Sequence, residues 1–487
     1  MWLKKNIQKL LYFLLLGLLF MPFIQERLKL IPVTPLCGYF VKTEKIELSV
    51  SNFMDGTFQE NLETRKKENV GFHDFLIRLN NQRKYSLFNE VNTNDIIKGK
   101  EGMWFGFSYI ATYFGNDYIG HSKLMDFSHK IKFIQDSLSK RRKLFFPLII
   151  PGKTAVYPEL IPDRFYAENK KKTTNYQTLI QLLDSTKTTY LDLKKFILMN
   201  KPLFKYPIFP KNGVHWTGNT VAIVTDTLLS FLSTNTGRNL IDMKLSDGEV
   251  TSDNYRFTDY DIGESMNIFT HISGDSLHYP MVEYVCNNCE KPRVLGVGDS
   301  FLQSFRGFYH TYDSAFHPKS YLWYYNKTVD WPEKFNGKKV LIEYLDLEEE
   351  IEKSDVIILE FTDENIRQSG FGFVDQLYDL LKNGKKNYSI KELKKFEKYK
   401  TDSTVQHAKS IIPLTEYSLE KQIQLIAISK YNRSKVLNFE EEVQKMMEDI
   451  RNNTEWLELV KQQAIERNIS LEENIYLNAK WMVENEN

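Results

Sequence analysis

Two short stretches of the sequence contain residues that could perform nucleophilic catalysis. Residues 294–301, VLGVGDSF, begin with an apolar run that predicts a buried strand, and a predicted helix follows from Phe301. Ser300 would then lie at the carboxyl end of a sheet strand, where α/β proteins build their sites. At a helix N-terminus its backbone N–H could also stabilise an oxyanion. The alternative interpretation is that Asp299 or Ser300 only caps the helix.

A serine hydroxyl needs an adjacent base, and His215 is the candidate. It lies in residues 212–218, NGVHWTG, directly before a predicted helix over 219–232. Histidine titrates near neutral pH and is the usual general base. The chain has nine histidines, and His215 is favoured because it stands at a loop-to-helix junction beside Trp216. The alternative is a histidine packed beneath a helix start.

A second Gly-Asp-Ser, residues 274–276, serves as an internal comparison. The residues before it do not form a buried strand. It predicts a surface turn ahead of a strand over 279–285, so Ser276 is not expected to be a nucleophile.

The surrounding elements predict an α/β fold, with a parallel sheet flanked by helices. This prediction rests on buried strands that alternate with helices. The strands are at 144–150, 189–191, 293–297 and 355–361, and the helices are at 176–183 and 219–232. Four segments are expected: an anchor or signal peptide (1–30), a helical lead-in (31–90), the α/β domain (91–385) and a C-terminal helical region (386–487).

The N-terminal segment predicts a membrane anchor. Lys4, Lys5 and Lys9 precede an apolar run from Leu10 to Ile24, which suits a signal peptide or a short signal anchor. No small-residue cleavage site follows, so an uncleaved anchor is favoured, with the N-terminus in the cytoplasm and the rest of the chain outside. Lys and Arg number 64 against 63 Asp and Glu, which argues against a nucleic-acid partner.

Cofactor and metal motifs are missing from the sequence. Cys286 and Cys289 form a CxxC pair, but a zinc site would need a second pair of ligands with suitable spacing. A local disulfide is favoured over two free thiols. No phosphate-binding loop, dinucleotide fingerprint or HExxH motif occurs, so neither a cofactor nor a metal is expected.

Taken together, the motifs resemble the SGNH-hydrolase-like domain of the AlgJ/AlgX alginate O-acetylation family. The similar stretches, in order along the chain, are MDGTFQE (54–60), GKEGMWF (99–105), PGKTAVYPE (151–159), GVHWT (213–217), GDSF (298–301) and TDEN (362–365). The histidine motif precedes Gly-Asp-Ser, in the permuted order of that family. The resemblance implies that Ser300 is the nucleophile and His215 its base.

One position departs from the family pattern. The family motif has aspartate two residues before the histidine, and here that residue is Gly213. Without a carboxylate, a histidine loses control of its tautomer. Asp192 and Asp226 are weak candidates for a substitute, and a Ser-His dyad with the ring facing a backbone carbonyl or water is favoured. On that hypothesis Gly213→Asp should raise turnover.

The resemblance implies an O-acetyltransferase that modifies an exported polysaccharide through a seryl acyl-enzyme. Its acetyl donor would be a membrane-bound O-acyltransferase. It would lie at the inner membrane with its main domain in the periplasm, or be exported there if the N-terminus is cleaved. Two alternatives remain open: an esterase that removes acyl groups, and a non-catalytic polysaccharide-binding or assembly protein.

Overall fold

The structure is a computed structural model, which describes residues 2–38, 43, 45–91, 93, 95–330, 340–385, 388–467 and 469–485. Its residue contacts divide the chain into two compact units. Unit 1 comprises residues 1–293, 298–320 and 358–370, and unit 2 comprises residues 294–297, 321–357 and 371–487. The division passes through two strands of the central sheet.

Among the described residues, the central sheet has seven strands and is mostly parallel. In chain order they are β3 (Leu144–Ile150), β4 (Leu191–Asp192), β7 (Val294–Gly298), β8 (Tyr321–Tyr324), β9 (Thr328–Val329), β10 (Val340–Leu341) and β11 (Val356–Thr362), and across the sheet the order is β10-β9-β8-β7-β11-β3-β4. Strand β3 pairs in parallel with β4, with Leu148 opposite Leu191. At the other edge, β8, β9 and β10 form an antiparallel meander. Every residue of β7 and β11 is buried, as expected for a sheet covered on both faces.

The part of the chain that the structure describes also contains two antiparallel ribbons. They are β1 (Ile96–Lys98) with β2 (Trp104–Gly106), and β5 (Asp242–Thr251) with β6 (Leu277–Val285). The 274–276 segment directly precedes β6, as the sequence predicts, and Ser276 is exposed. Cys286 and Cys289 follow β6 and form a disulfide, which is the alternative that the sequence favoured.

Helices account for most of the remaining chain. Those of unit 1 are α1 (Trp2–Leu28), α2 (Val50–Met54), α3 (Thr57–Asn69), α4 (His73–Phe88), α5 (Phe107–Phe114), α6 (His121–Ser139), α7 (Lys153–Val156), α8 (Asp163–Glu168), α9 (Asn175–Ser185), α10 (Leu193–Asn200), α11 (Gly218–Thr236), α12 (Asp261–Ser265), α13 (Ser304–Gly307) and α14 (Thr311–Ala315). In unit 1, α6 and α10 pack on β3, and α11 packs against β6.

Unit 2 is largely helical beyond its strands. Its helices are α15 (Leu347–Lys353), α16 (Phe373–Asn383), α17 (Ile390–Glu397), α18 (Asp402–Thr415), α19 (Leu419–Asn452), α20 (Thr454–Arg467) and α21 (Leu471–Asn485). The end of α19 packs with α20 and α21 around a small apolar core that includes Val443, Ile450, Val460 and Ile475. The hydroxyl of Ser470 accepts from the Glu473 N–H and so caps the start of α21.

Helix α1 is the one helix in the described part of the chain that is long and apolar enough to cross a membrane. The apolar window runs from Lys9 to Leu28, 20 residues, and almost all of it is exposed. At 1.5 Å per residue it spans about 30 Å, the thickness of a bilayer's hydrocarbon core.

Candidate active site

The structure brings Ser300 and His215 into direct contact. The distance from Ser300 Oγ to His215 Nε2 is 2.8 Å. Ser300 lies two residues beyond Gly298, the end of β7, and is partly exposed, whereas His215 is buried. A reactive hydroxyl at the carboxyl end of a buried strand, held by an imidazole and open to solvent, is the arrangement that nucleophilic catalysis requires.

A carboxylate holds the other side of the ring, so the predicted dyad is wrong. His215 Nδ1 lies 2.6 Å from Asp261 Oδ2. Because a carboxylate only accepts hydrogen bonds, Nδ1 carries the proton, and Nε2 is left to accept from the Ser300 hydroxyl. Serine, histidine and aspartate thus form a hydrogen-bonded triad, whose aspartate the sequence analysis did not identify.

Neither of the two carboxylates considered from the sequence orients His215. Asp192 caps α10, where its Oδ1 accepts from the Lys195 N–H, and its Oδ2 accepts from the Tyr176 hydroxyl. Asp226 is exposed in the third turn of α11. Both candidates are therefore replaced by Asp261.

Three hydrogen bonds dock the start of α12 on the loop before His215. Asp261 Oδ1 accepts from the Val214 N–H at 2.8 Å, and the Gly263 N–H donates to the Asn212 carbonyl at 3.1 Å. The third is the contact between Asp261 and the His215 ring. The carboxylate thus fixes both the ring and the backbone that carries it. Asp261 follows His215 by 46 residues, and no local sequence signal connects the two.

Gly213 has no room for a side chain. A Cβ there would lie 2.8 Å from the Pro210 Cγ, 2.8 Å from the Thr258 carbonyl oxygen and 3.1 Å from the Asp259 carbonyl oxygen. Gly213→Asp is therefore no longer expected to raise turnover. Asp261 already provides the carboxylate at His215, and the surrounding backbone leaves no space for a side chain at position 213.

Aromatic packing accounts for the residues that stand beside Ser300 and His215 in the two motifs. The Phe301 ring, next to Ser300, lies 4.7 Å from the His215 ring and 5.6 Å from the Trp216 ring, centre to centre. Trp216 is fully buried. Thr217 then caps α11, and its hydroxyl accepts from the Thr220 N–H. Burial of Phe301 and Trp216 holds the histidine loop against the serine turn.

The segment after Ser300 differs from the predicted helix. Residues 299–303 form turns, and α13 is a single helical turn that begins at Ser304. The Asp299 N–H donates to Glu360 Oε2, and the Phe301 N–H donates to Asp299 Oδ1. Of these three consecutive N–H groups, that of Ser300 alone has no acceptor among the described residues. The predicted oxyanion donor is therefore available.

Asp299 is a structural residue beneath Ser300. Its Oδ2 accepts from the Thr362 N–H, the Thr362 hydroxyl and the Asn365 side-chain amide, at 2.7 to 3.0 Å. These bonds join the Gly-Asp-Ser turn to the TDEN stretch after β11. Glu360, fully buried in β11, lies beside Asp299; burial, and then the negative charge of Asp299, raises the pKa of the Glu360 carboxyl well above its usual value.

Lys153 joins two further motifs to the histidine loop. Its buried ammonium donates to the carbonyl oxygens of Trp104, Lys211 and Gly213 at 2.8, 3.0 and 2.8 Å. Burial lowers the pKa of Lys153 to about 7. The neighbouring Gly152 N–H donates to Asp363 Oδ1 at 2.8 Å. Five of the six motif stretches quoted from the sequence thus meet around the site through backbone and side-chain hydrogen bonds.

No protein-family model matches the chain, and no curated protein matches it significantly. Among solved structures, the chain is similar to the O-acetyltransferase domain of Pseudomonas putida AlgJ, at 15% identity and a TM-score of 0.38, over 60% of this chain and 99% of that one. Pseudomonas aeruginosa AlgX is similar at 12% identity and a TM-score of 0.38, over 60% and 71% of the two chains. Bacillus cereus PatB1 is similar at 11% identity and a TM-score of 0.33, over 52% and 93%. At such low scores these similarities carry no argument about the site, which rests on its own geometry.

Proposed function

We propose that this protein is a serine-dependent O-acyltransferase. The observation that carries the proposal is the chain of contacts from Ser300 Oγ to His215 Nε2 and from His215 Nδ1 to Asp261, at 2.8 and 2.6 Å. In the first step Ser300 Oγ attacks the acyl carbonyl of the donor while His215 Nε2 takes the hydroxyl proton. Asp261 stabilises the imidazolium, and the Ser300 N–H faces the developing oxyanion.

The second half of the reaction returns the enzyme to its starting state. The leaving group of the donor departs with the proton from His215, and the acyl group stays on Ser300 Oγ as an ester. An acceptor hydroxyl then loses its proton to His215 Nε2 and attacks the ester carbonyl. Ser300 leaves and regains the proton from His215.

The acceptor and the donor are proposed from the sequence motifs. Their resemblance to the AlgJ/AlgX family supports a hydroxyl of an exported polysaccharide as acceptor and a membrane-bound O-acyltransferase as donor. Helix α1 supports a single-pass attachment to the inner membrane with the main domain in the periplasm, or export to the periplasm if the N-terminus is cleaved. The contact between Ser300 and His215 goes against the non-catalytic alternative, which a wide separation of the two side chains would have favoured.

Ester turnover with and without a sugar acceptor tests this proposal. The purified full chain is incubated with a chromogenic acetyl ester and with acidic or neutral oligosaccharides. Acetylated oligosaccharide is the expected product, and Ser300→Ala should abolish its formation. Ser276→Ala is the matched control, since it removes the serine of the second Gly-Asp-Ser and should keep full activity. Release of acetate with no transfer to any oligosaccharide would favour the esterase instead. Full activity of Ser300→Ala would refute both the acyltransferase and the esterase hypothesis.

A further inference from the structure

Helix α4 presents its apolar side chains outward. Phe75, Leu76 and Leu79, spaced to share one face, are 43%, 46% and 49% exposed. Phe269 is 50% exposed, and its ring lies 5.4 Å from the Phe75 ring. We call these four residues the α4 patch. A surface helix of a water-soluble domain places such residues toward the core.

The side of α4 that faces the protein makes buried polar contacts beside Tyr85, which packs against the apolar cluster around Trp104. Asn81 is buried, and its side-chain amide donates to the Met266 carbonyl oxygen at 3.0 Å. Gln82 Oε1 accepts from the backbone N–H groups of Phe269 and Thr270 at 2.9 and 3.0 Å. A helix that turns a row of large apolar side chains away from its own domain, with polar contacts on the inner side, suits a membrane interface.

The corner between α3 and α4 lies against the end of α1. Gly71 stands at this corner, where a Cβ would overlap the Pro22 carbonyl oxygen and lie 2.6 Å from the Glu26 nitrogen. Lys66 Nζ, near the end of α3, pairs with Glu26 Oε1 at 3.3 Å. Pro22 and Glu26 belong to the last third of the apolar window of α1. The corner therefore lies at the level where a span formed by α1 would leave the bilayer.

The chain that follows α1 is tied to the same surface. The Arg78 guanidinium on α4 donates to the Pro35 carbonyl oxygen at 2.6 Å. Asn267 exchanges two hydrogen bonds with the backbone of Cys37, at 2.8 and 2.9 Å. The stretch from Leu28 to Pro35 can extend at most about 25 Å, so α4 stays close to the membrane surface.

We propose that the α4 patch inserts into the interface of the membrane that α1 crosses, so that the protein contacts the bilayer at two places. This rests on the proposed membrane-spanning role of α1. Bilayer lipid is the occupant that the structure favours, because the patch is continuous with the exit of α1 and is held there by Lys66, Arg78 and Asn267.

Spin labels on the full chain test the proposal. In a Cys37→Ser background, single cysteines are introduced as Leu76→Cys and Leu79→Cys on α4, with Leu15→Cys in α1 and Leu459→Cys on α20 as references. Leu459 is a matched control, since it is also an exposed leucine on a helix, 56% accessible. Each labelled protein is reconstituted in vesicles of phosphatidylethanolamine and phosphatidylglycerol, and collision of the label with oxygen and with a water-soluble nickel chelate is measured.

At positions 76 and 79 the ratio of oxygen to nickel collisions should be several-fold higher than at position 459, because oxygen concentrates in the bilayer. If the collision ratios at positions 76 and 79 match the ratio at position 459, while the label at position 15 is shielded from nickel, the proposal is overturned and the span of α1 is retained. Collision ratios typical of water at positions 15, 76 and 79 would refute both the membrane span of α1 and the proposal. Labels shielded from both reagents would also overturn it, since a protein surface would then cover the patch. Two independent positions and a circular dichroism spectrum guard against misfolding of one variant.

Discussion

Asp261 is the residue on which the proposed reaction depends most sharply after Ser300 and His215. It accepts hydrogen bonds from the His215 ring and from the Val214 N–H. Asp261→Asn keeps the shape but allows the amide to donate to Nδ1, which would leave Nε2 protonated and unable to take the Ser300 proton. We expect the kcat of ester turnover to fall by about 10³- to 10⁴-fold, measured by steady-state kinetics.

Asp192→Asn is the control for that variant. It replaces an aspartate that caps a helix away from His215, so kcat should stay within a few-fold of the unmodified protein. If Asp261→Asn also retained its kcat, Asp261 would have no part in proton transfer.

Residue by residue, the sequence predicts the members of the site that stand in short motifs. Ser300 and His215 each lie beside aromatic and glycine residues that mark a strand end or a helix start. Asp261 lies in no such motif, and its contact exists only because α12 docks on residues 212–214. Such a contact depends on the fold of the whole β5–β6 region, which local spacing does not encode.

At the level of elements, Lys153 holds the histidine loop through three backbone carbonyl groups. Lys153→Met would leave the Trp104 and Gly213 carbonyl groups without a donor, at a cost of about 1–3 kcal/mol each, whereas the Lys211 carbonyl would still accept from the Trp104 N–H. We expect a lower free energy of unfolding and a lower kcat, because the Gly213 carbonyl and hence His215 lose their support. Chemical denaturation and ester kinetics measure the two effects.

Lys201→Met provides the matched comparison. Lys201 also donates to a carbonyl oxygen, that of Val156, and pairs with Glu159, but it is partly exposed. Removing its ammonium group should change the free energy of unfolding by less than about 1 kcal/mol. Equal effects of the two substitutions would contradict the role given to Lys153.

The elements themselves were predictable where hydrophobic patterning is strong. The buried strand over 144–150 agrees with β3, and α11 covers the predicted 219–232 helix. The β5–β6 ribbon was not predicted in full, since most of β5 is exposed and its sequence is polar. The helix after Ser300 was predicted too early, because the side chain of Asp299 binds the Phe301 N–H and stabilises a turn instead.

For the molecule as a whole, folding buries Asp259 and Glu360, which make no ion pair among the described residues. Burial raises the pKa of Asp259 to about 8 and that of Glu360 well above its usual value. Between about pH 4 and pH 8 the folded protein keeps a proton at Asp259 that the unfolded chain releases. The free energy of unfolding should therefore fall as pH rises, by at most about 1.4 kcal/mol per pH unit for each group.

Asp259→Asn isolates one of these groups. The amide resembles the protonated acid and does not titrate, so the variant should lose less stability than the unmodified protein between about pH 5 and pH 7. Lys153, with its pKa lowered to about 7, contributes with the opposite sign above pH 7 and barely affects this range. Urea denaturation at several pH values measures the slopes, and identical slopes would show that Asp259 is ionised in the folded protein.

The most direct measurement is the identification of the acylated residue. The full chain is mixed with a chromogenic acetyl ester, quenched with acid during turnover, digested and examined by mass spectrometry. The proposed mechanism predicts an acetyl ester on Ser300, and its absence in Ser300→Ala and His215→Ala. Turnover that leaves Ser300 unmodified and acetylates another residue, such as Ser276, would contradict it.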